Sequence, residues 1–305
     1  MHSTTLLAFF EFSRTAVSMS GAAILLFLIA LWAAKTDIAQ ARGLDKVVVL
    51  SNLCFALPLA VFGAEHLSAA NGIAQGVPSF IPWHLFWAYF VGFALLAASL
   101  SIATKIQVRW SGLLFGIMLF LFVAMLHIPR VYANPKDRIG WVVAIRDMSF
   151  AGGGWLLAAT AMREQSREQD QGASKFITVG RVLIGLAAIF YGVETFLHPL
   201  GMPGVPLEKL MSEWIPARHF IGYLTGAILM VAGAGILLNM KTRMAATYLG
   251  TWIVLLVVLV YGPILIASLA DPSTDVKVVG LNYFFDTLLF AGAVLALATA
   301  TPRTD

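Results

Sequence analysis

The amino-acid sequence predicts an all-α polytopic membrane protein with about nine transmembrane helices. Of its 305 residues, 59% are hydrophobic and only 12% are charged, and the mean hydropathy is +0.84. Long apolar runs with few charges are typical of membrane helices, because a helix needs about 20 apolar residues to cross the hydrocarbon core. A second observation, that two stretches of the chain resemble each other, predicts one N-terminal helix followed by two parallel four-helix bundle repeats.

Nine segments are long enough to cross a membrane, at about 17 to 25 residues each. They lie near residues 16–34, 46–64, 84–103, 109–129, 140–161, 179–197, 219–239, 244–269 and 278–299. The first resembles the apolar part of a signal peptide, but its flank holds only one basic residue, Arg14, and its apolar run is longer than usual. We therefore expect it to be an uncleaved transmembrane helix.

The positions of Lys and Arg predict the orientation, because cytoplasmic loops of membrane proteins carry an excess of these residues. If the N-terminus is outside, twelve Lys and Arg residues fall on the cytoplasmic side and seven on the outer side, with Arg146 inside the membrane. This distribution favours an N-terminus outside and a C-terminus in the cytoplasm. The net charge of +4 then belongs to the loops, and no nucleic-acid partner is expected.

Two halves of the chain share short motifs in the same order. The first half has FGAEHL (62–67), IPWHLFWAYFVG (81–92), HIP (127–129), NP (134–135) and RDMSFAGG (146–153). The second half has YGVETFLHP (191–199), IPARHFIGYLTG (215–226), YGP (261–263), DP (271–272) and FDTLLFAG (285–292). Their nearly constant separation predicts an internal duplication. Because each unit has an even number of helices, we expect the two repeats to be parallel.

The duplication divides the chain into four parts. The predicted parts are an N-terminal transmembrane helix in residues 1–44, a first four-helix repeat in 45–162, a polar cytoplasmic linker in 163–177 and a second four-helix repeat in 178–305. The connections at 67–82 and 199–216 are unusually apolar. They are expected to lie in the membrane interface, as lids over a site or as ordinary hairpin connections, with Trp83 and Trp214 at headgroup depth.

The shared motifs resemble the DoxX-like family of four-helix membrane proteins, here as a tandem duplication over about residues 46 to 300. The resemblance lies in the Glu and His at the end of the first helix, the Pro before the second, and the Asp followed by small residues in the fourth. It implies a bacterial-type plasma (inner) membrane and a link to respiratory quinone or thiol redox chemistry. The single cysteine, Cys54, cannot form an intrachain dithiol centre.

Two charged residues, Arg146 and Asp147, lie side by side in a predicted transmembrane helix. A charge at that depth costs about 2.5 kcal/mol or more, so each needs a partner. Adjacent helical residues point about 100° apart, and we therefore do not expect these two to satisfy each other. We expect Arg146 to pair with Glu65, and Asp147 to pair with a histidine or Arg130.

With the N-terminus outside, the uncommon polar residues gather near the outer membrane face. We expect those of the first repeat to meet in one four-helix bundle; they are Glu65, His66, His84, His127, Arg130, Arg146 and Asp147. The second repeat keeps part of the set, namely Glu194, His198, Arg218 and Asp286. Phe285 and Tyr261 stand where the first repeat has Arg146 and His127, so the second site is predicted to be less polar.

A lipid-accessible site lined by His, Arg and carboxylates suits the head group of a quinone, which exchanges hydrogen bonds and protons with such groups. We predict that Glu65 and Asp147 carry protons and that Arg146 keeps the carboxylates ionised. His66 and His127 are the predicted head-group contacts, and the other candidates are His84, Arg130, Glu194, His198, Arg218 and Asp286. An enzyme of this kind would be a quinone-linked oxidoreductase subunit with a soluble redox partner.

Three alternatives stay open. The polar residues can form a structural clasp that fixes the helix register. His66 and His127 can be axial ligands of a b-haem, although the sequence lacks the Cys clusters and closely spaced His pairs typical of metal sites, and no metal ligand is predicted. The third alternative is a non-enzymatic scaffold or small-solute permease. Phosphate, nicotinamide and zinc-protease chemistry have no motif in the sequence.

Overall fold

A computed structural model describes residues 14–165 and 171–302. Most of these residues are helical. In chain order the helices are α1 (Arg14–Gln40), α2 (Asp45–Val48), α3 (Ser51–Ser68), α4 (Ala70–Ala74), α5 (His84–Thr104), α6 (Val108–Phe122), α7 (Ile128–Ala133), α8 (Arg138–Gln165), α9 (Gln171–Leu197), α10 (Arg218–Leu237), α11 (Thr242–Leu256), α12 (Gly262–Ala270) and α13 (Thr274–Ala300). α6 runs into α7, and α11 into α12, through one π-helical turn each.

Eight helical segments of the described chain are long and apolar enough to cross a membrane, which confirms the predicted all-α polytopic membrane protein. They are residues 14–40, 45–68, 84–104, 108–133, 171–197, 218–237, 242–270 and 274–300. The remaining predicted segment became α8, which has 28 residues but is less apolar because it contains Arg146 and Asp147. α8 nevertheless packs inside the bundle, against α6, α9 and α13.

The predicted polar linker at 163–177 is helical where the structure describes it. α8 continues through Gln165, and α9 begins at Gln171; residues 166–170 lie outside the described part of the chain, as do 1–13 and 303–305. Arg163, in the last turn of α8, donates from Nη1 to the carbonyl of Ala300 in α13, at 3.0 Å. The basic residue therefore satisfies a terminal carbonyl of another helix.

The two π-helical turns occupy matching places, Val123–His127 and Val257–Tyr261. Each is followed within two residues by a proline, Pro129 or Pro263. Proline has no N–H to donate to the preceding turn, and a wider π turn accommodates the lost hydrogen bond. His127 and Tyr261 thus take the same position, at the last residue of the π turn.

The centre of the bundle is formed by α8 and α13, which pack against each other. α8 also packs against α9, and α13 against α3. The last helix of each predicted repeat therefore contacts the first helix of the other repeat. As a result, polar groups on α8 face polar groups that come from the second half of the chain.

Small residues bring these central helices close together. A Cβ atom at Gly153 would lie 2.5 Å from Cβ of Ala293, and one at Gly292 would lie 2.6 Å from the backbone nitrogen of Phe55. Only glycine permits such approaches, which are typical of helix packing in membranes. The Gly152–Gly154 stretch therefore packs tightly against neighbouring helices, and Phe55 is fully buried in the packed layer.

Candidate functional site

A cavity of about 490 Å³ opens between α3, α6, α8 and α13. Six of the predicted site residues line it: Glu65, His66, His127, Arg146, Asp147 and Asp286. Most of the remaining wall is apolar, including Phe62, Leu95, Phe115, Met118 and Phe122. A mainly apolar cavity with a few convergent polar groups is the usual form of a small-molecule site.

The guanidinium of Arg146 is at the centre of the polar wall. Its Nη1 donates to Oδ2 of Asp286 at 2.7 Å, and its Nε donates to Oδ1 of Asp147 at 3.0 Å. The expectation that Arg146 and Asp147 would not satisfy each other is therefore wrong. The long arginine side chain bends back so that donors on two sides of the guanidinium reach two carboxylates, which Cα–Cβ directions alone do not reveal.

Asp147 also accepts a hydrogen bond from the π turn. His127 Nε2 lies 2.9 Å from its Oδ2, which confirms the predicted contact of Asp147 with a histidine. Because a carboxylate accepts, this contact places a proton on Nε2, and the neutral ring keeps Nδ1 as an acceptor. Asp147 is only 6% exposed. One of its oxygens accepts from His127 and the other from Arg146.

The predicted pairing of Arg146 with Glu65 is wrong. Glu65 Oε1 instead accepts a hydrogen bond from Nδ2 of Asn282, at 3.0 Å. Asp286 takes the expected place of Glu65, because α13 packs directly against α8 and carries its carboxylate to the guanidinium. Glu65 stays in the same cavity wall as Arg146.

His66 is fixed by its own helix. Its Nδ1 lies 2.8 Å from the carbonyl oxygen of Phe62, and since a carbonyl can only accept, Nδ1 carries the proton. The neutral ring then keeps Nε2 as an acceptor. His66 and His127 both line the cavity, and each neutral ring has one nitrogen that can still accept a hydrogen bond.

The cavity wall holds more acidic than basic groups. Arg146 is its one arginine, whereas four carboxylates line the cavity: Glu65, Asp147, Glu208 and Asp286. Unbalanced charge in a low-dielectric site is costly, so such a wall favours bound protons or ligand groups that donate hydrogen bonds. In the described part of the chain, no group of three or more His, Cys, Asp and Glu side chains is placed to hold a metal ion.

The other predicted site residues do not line this cavity. His84 begins α5, exposed Arg130 pairs with Asp137 at 3.0 Å, and His198 is exposed beyond the end of α9. Arg218 donates to the carbonyl of Met211 at 3.2 Å. The expectation that the first-repeat residues meet within one four-helix bundle is therefore wrong for His84 and Arg130, and the site instead takes Asp286 from the second half.

Glu194 is buried but lies in a different contact. Its Oε2 accepts from Nη1 of Arg138 at 2.9 Å. Arg138 also donates to the carbonyl oxygens of Pro206 and Leu207, at 3.2 and 3.4 Å. Arg138 thereby fastens the connection between α9 and α10 to the start of α8.

This connection enters the bundle, contrary to the expectation that it lies in the membrane interface as a lid or as an ordinary hairpin connection. Residues 201–207 are buried, and Met202 is only 1% exposed. Tyr261 donates from its hydroxyl to the carbonyl of Pro203 at 2.7 Å. Gly204 has a φ of +101°, which favours glycine, and a Cβ there would contact Ile253 and Thr287.

The buried connection fills the counterpart of the cavity in the second half. Tyr261, which contacts the connection, corresponds to His127, and Ile253 corresponds by the same spacing to Leu119. Leu119 and His127 both line the open cavity. The two halves therefore differ in their interior. The first half has an open cavity, and the corresponding place in the second half is occupied by residues 201–207.

Sequence reasoning missed three groups of the site and its support. Arg138 is not among the predicted site residues, although it lies at the beginning of α8 and donates to Glu194. Asn282 precedes Asp286 by four residues, so helical spacing alone places both on one face of α13. Glu208 reaches the cavity because the connection folds inward, and no sequence pattern signals that course.

No protein-family model, curated protein or solved structure matches this chain. The resemblance to the DoxX-like family therefore stays a prediction that rests on the shared motifs.

Proposed function

We propose that this integral membrane protein binds the head group of a lipid-soluble quinone in the cavity lined by Glu65, His66, His127, Arg146 and Asp147. The observation that carries the proposal is the convergence of two histidines and a carboxylate–arginine network on one otherwise apolar cavity. A quinone head group has two oxygens on opposite sides of a flat apolar ring. A cavity with polar groups in an apolar wall matches that distribution.

The histidine tautomers favour the reduced form of the ligand. A quinol has two hydroxyl donors, and neutral His66 and His127 offer two acceptor nitrogens, Nε2 and Nδ1 respectively. Once protonated, the same nitrogens become donors and suit the carbonyl oxygens of the oxidised quinone. Histidine is the side chain best able to make this change near neutral pH.

Proton transfer then follows the contacts of the cavity. Oxidation of a quinol releases two protons and two electrons; His66 and His127 accept the protons, and a soluble redox partner accepts the electrons. The proton on His127 is stabilised by Asp147, whose other oxygen is bonded to Arg146. Glu65, held by Asn282, lies beside His66 in sequence and serves as the second proton carrier.

The proposal includes the position of the site in the cell. The resemblance to the DoxX-like family and the distribution of Lys and Arg favour a plasma membrane with the N-terminus outside. The cavity then lies toward the outer face, at the same end of the bundle as the α3 C-terminus and the α8 N-terminus. The protein would act as the membrane subunit of a quinone-linked oxidoreductase.

The proposal is tested by extracting protein purified in mild detergent and identifying bound quinone by mass spectrometry, with an absorption spectrum of the same sample. We expect a stoichiometric quinone in the wild type and much less in His66→Ala. His198→Ala is the matched control, because His198 is exposed and does not line the cavity, and it should keep the quinone.

Two results would count against a quinone site. A wild-type protein that contains no quinone, and takes up none from quinone-loaded liposomes, would leave the polar cluster as a structural clasp between helices. A Soret band that disappears in His66→Ala would instead assign the cavity to haem.

A further inference from the structure

A second, larger cavity lies beside the polar one, between α5 and α6. Its volume is about 650 Å³, within the range of small-molecule sites. Its lining is apolar except for Ser111 and the indole of Trp87. Phe90, Leu114 and Leu121 line it and are also half exposed, so this groove faces the surrounding lipid.

The groove and the polar cavity adjoin each other. Four residues line both of them, namely Leu95, Phe115, Met118 and Phe122. Leu95 belongs to α5 and the other three to α6. These apolar side chains form a shared wall, and a chain that runs from the polar cavity into the groove would pass between them.

The packing of the helices explains why the groove exists. α5 packs closely against α3, and α6 packs closely against α8, whereas α5 and α6 contact each other much less. They are joined by a short turn in which Lys105 and Gln107 have positive φ. Each of the two helices is thus held mainly by a different partner, which leaves space between α5 and α6 for the groove.

We propose that the groove between α5 and α6 holds the isoprenoid tail of a quinone whose head group occupies the polar cavity, and that the ligand enters from the bilayer along it. This inference rests on the proposed function. It commits to an isoprenoid chain because the groove is apolar, opens to lipid and shares a wall with the cavity that has the head-group contacts. In the second half, residues 201–207 are buried where the first half has the polar cavity.

The tail contributes little to affinity in this arrangement, because moving it from lipid into an apolar groove exchanges one apolar environment for another. Its effect is therefore steric. A groove filled by a bulky side chain should exclude long-chain quinones while leaving the head-group cavity intact. Chain-length discrimination is the property that separates this inference from head-group binding alone.

The test uses Ala94→Phe and Ala97→Phe, which place an aromatic ring in the groove. The control is Val231→Phe, at the position of α10 that corresponds to Ala97; Val231 is 75% exposed. Full-length protein is reconstituted in nanodiscs. Binding is measured for a polyisoprenyl benzoquinone and for the same head group with a methyl group in place of the chain.

We expect both groove variants to bind the polyisoprenyl quinone about tenfold or more weakly and the methyl analogue as the wild type does. Val231→Phe should bind both as the wild type does. Unchanged long-chain binding in the groove variants would overturn the tail route while leaving the head-group site standing. If the wild type binds neither compound, the proposed function and this inference both fail. Ala97→Phe keeps the test valid if Ala94→Phe does not fold, because Ala97 is exposed.

Discussion

Arg146 on α8 donates a hydrogen bond to Asp286 on α13 at 2.7 Å, and this contact joins the two halves of the chain across the centre of the bundle. Asp286 is only 6% exposed. A second bond from the same guanidinium reaches Asp147 at 3.0 Å. One arginine therefore compensates two buried carboxylates.

Removal of this arginine should strongly destabilise the protein. Arg146→Leu leaves Asp147 and Asp286 buried without their cationic partner, and breaking a buried pair in this way costs about 3 kcal/mol or more. The free energy of unfolding in detergent measures the loss. Arg130→Leu is the control, because its pair with Asp137 is exposed and should change stability by less than about 1 kcal/mol. Equal effects of the two substitutions would show that Arg146 does not hold the helices together.

Removing both members of the pair between the halves should be less harmful than removing the arginine alone. In Arg146→Leu with Asp286→Leu, one uncompensated carboxylate disappears, and apolar side chains replace the pair. We expect the double variant to recover about 1–2 kcal/mol relative to Arg146→Leu. A complete double-mutant cycle measured by unfolding gives the coupling energy. Strictly additive single effects would contradict a direct interaction between the two residues.

The arrangement of the helices along the chain was predictable from the sequence, because apolar runs of membrane length and the charges between them determine it. The predicted segment at 84–103, for example, became His84–Thr104. A histidine as partner of Asp147 was predicted as one of two options, the other being Arg130, because His127 and Asp147 both lie toward the outer ends of their predicted segments. The fifth segment was predicted despite its two charges, and its buried position explains why they are tolerated.

The contacts between the halves were not predictable. A repeated pattern indicates which helices are alike, but it does not specify that α8 packs against α9 and α13. Glu65 and Asp286 were therefore equivalent partners for Arg146 in the sequence. The burial of residues 201–207 inside the bundle was not predictable for a different reason. Lipid and the protein interior are equally apolar, so both select the same side chains.

The close contact at Gly153 should not tolerate even one added methyl group. In Gly153→Ala the new Cβ would lie 2.5 Å from Cβ of Ala293 and 2.8 Å from the ring of Phe55, so central helices must separate. We expect a loss of about 1–3 kcal/mol in the free energy of unfolding. Gly21→Ala is the control, because no atom lies within 4 Å of its added Cβ. A stable Gly153→Ala protein would mean that α8 and α13 separate without a penalty.

Arg138 should keep the buried connection of the second half in place. Its bonds to Glu194 and to the carbonyls of Pro206 and Leu207 are lost in Arg138→Leu, which also leaves Glu194 without a cation. We expect residues 201–207 to open more often, so that a cysteine at position 202 reacts several-fold faster with a water-soluble maleimide. The measurement uses Met202→Cys in a Cys54→Ala background, where the native thiol is absent. Arg130→Leu serves as the control because Arg130 pairs elsewhere, with Asp137. Equal labelling rates with and without Arg138 would show that the contacts of Tyr261 and the apolar side chains hold the connection by themselves.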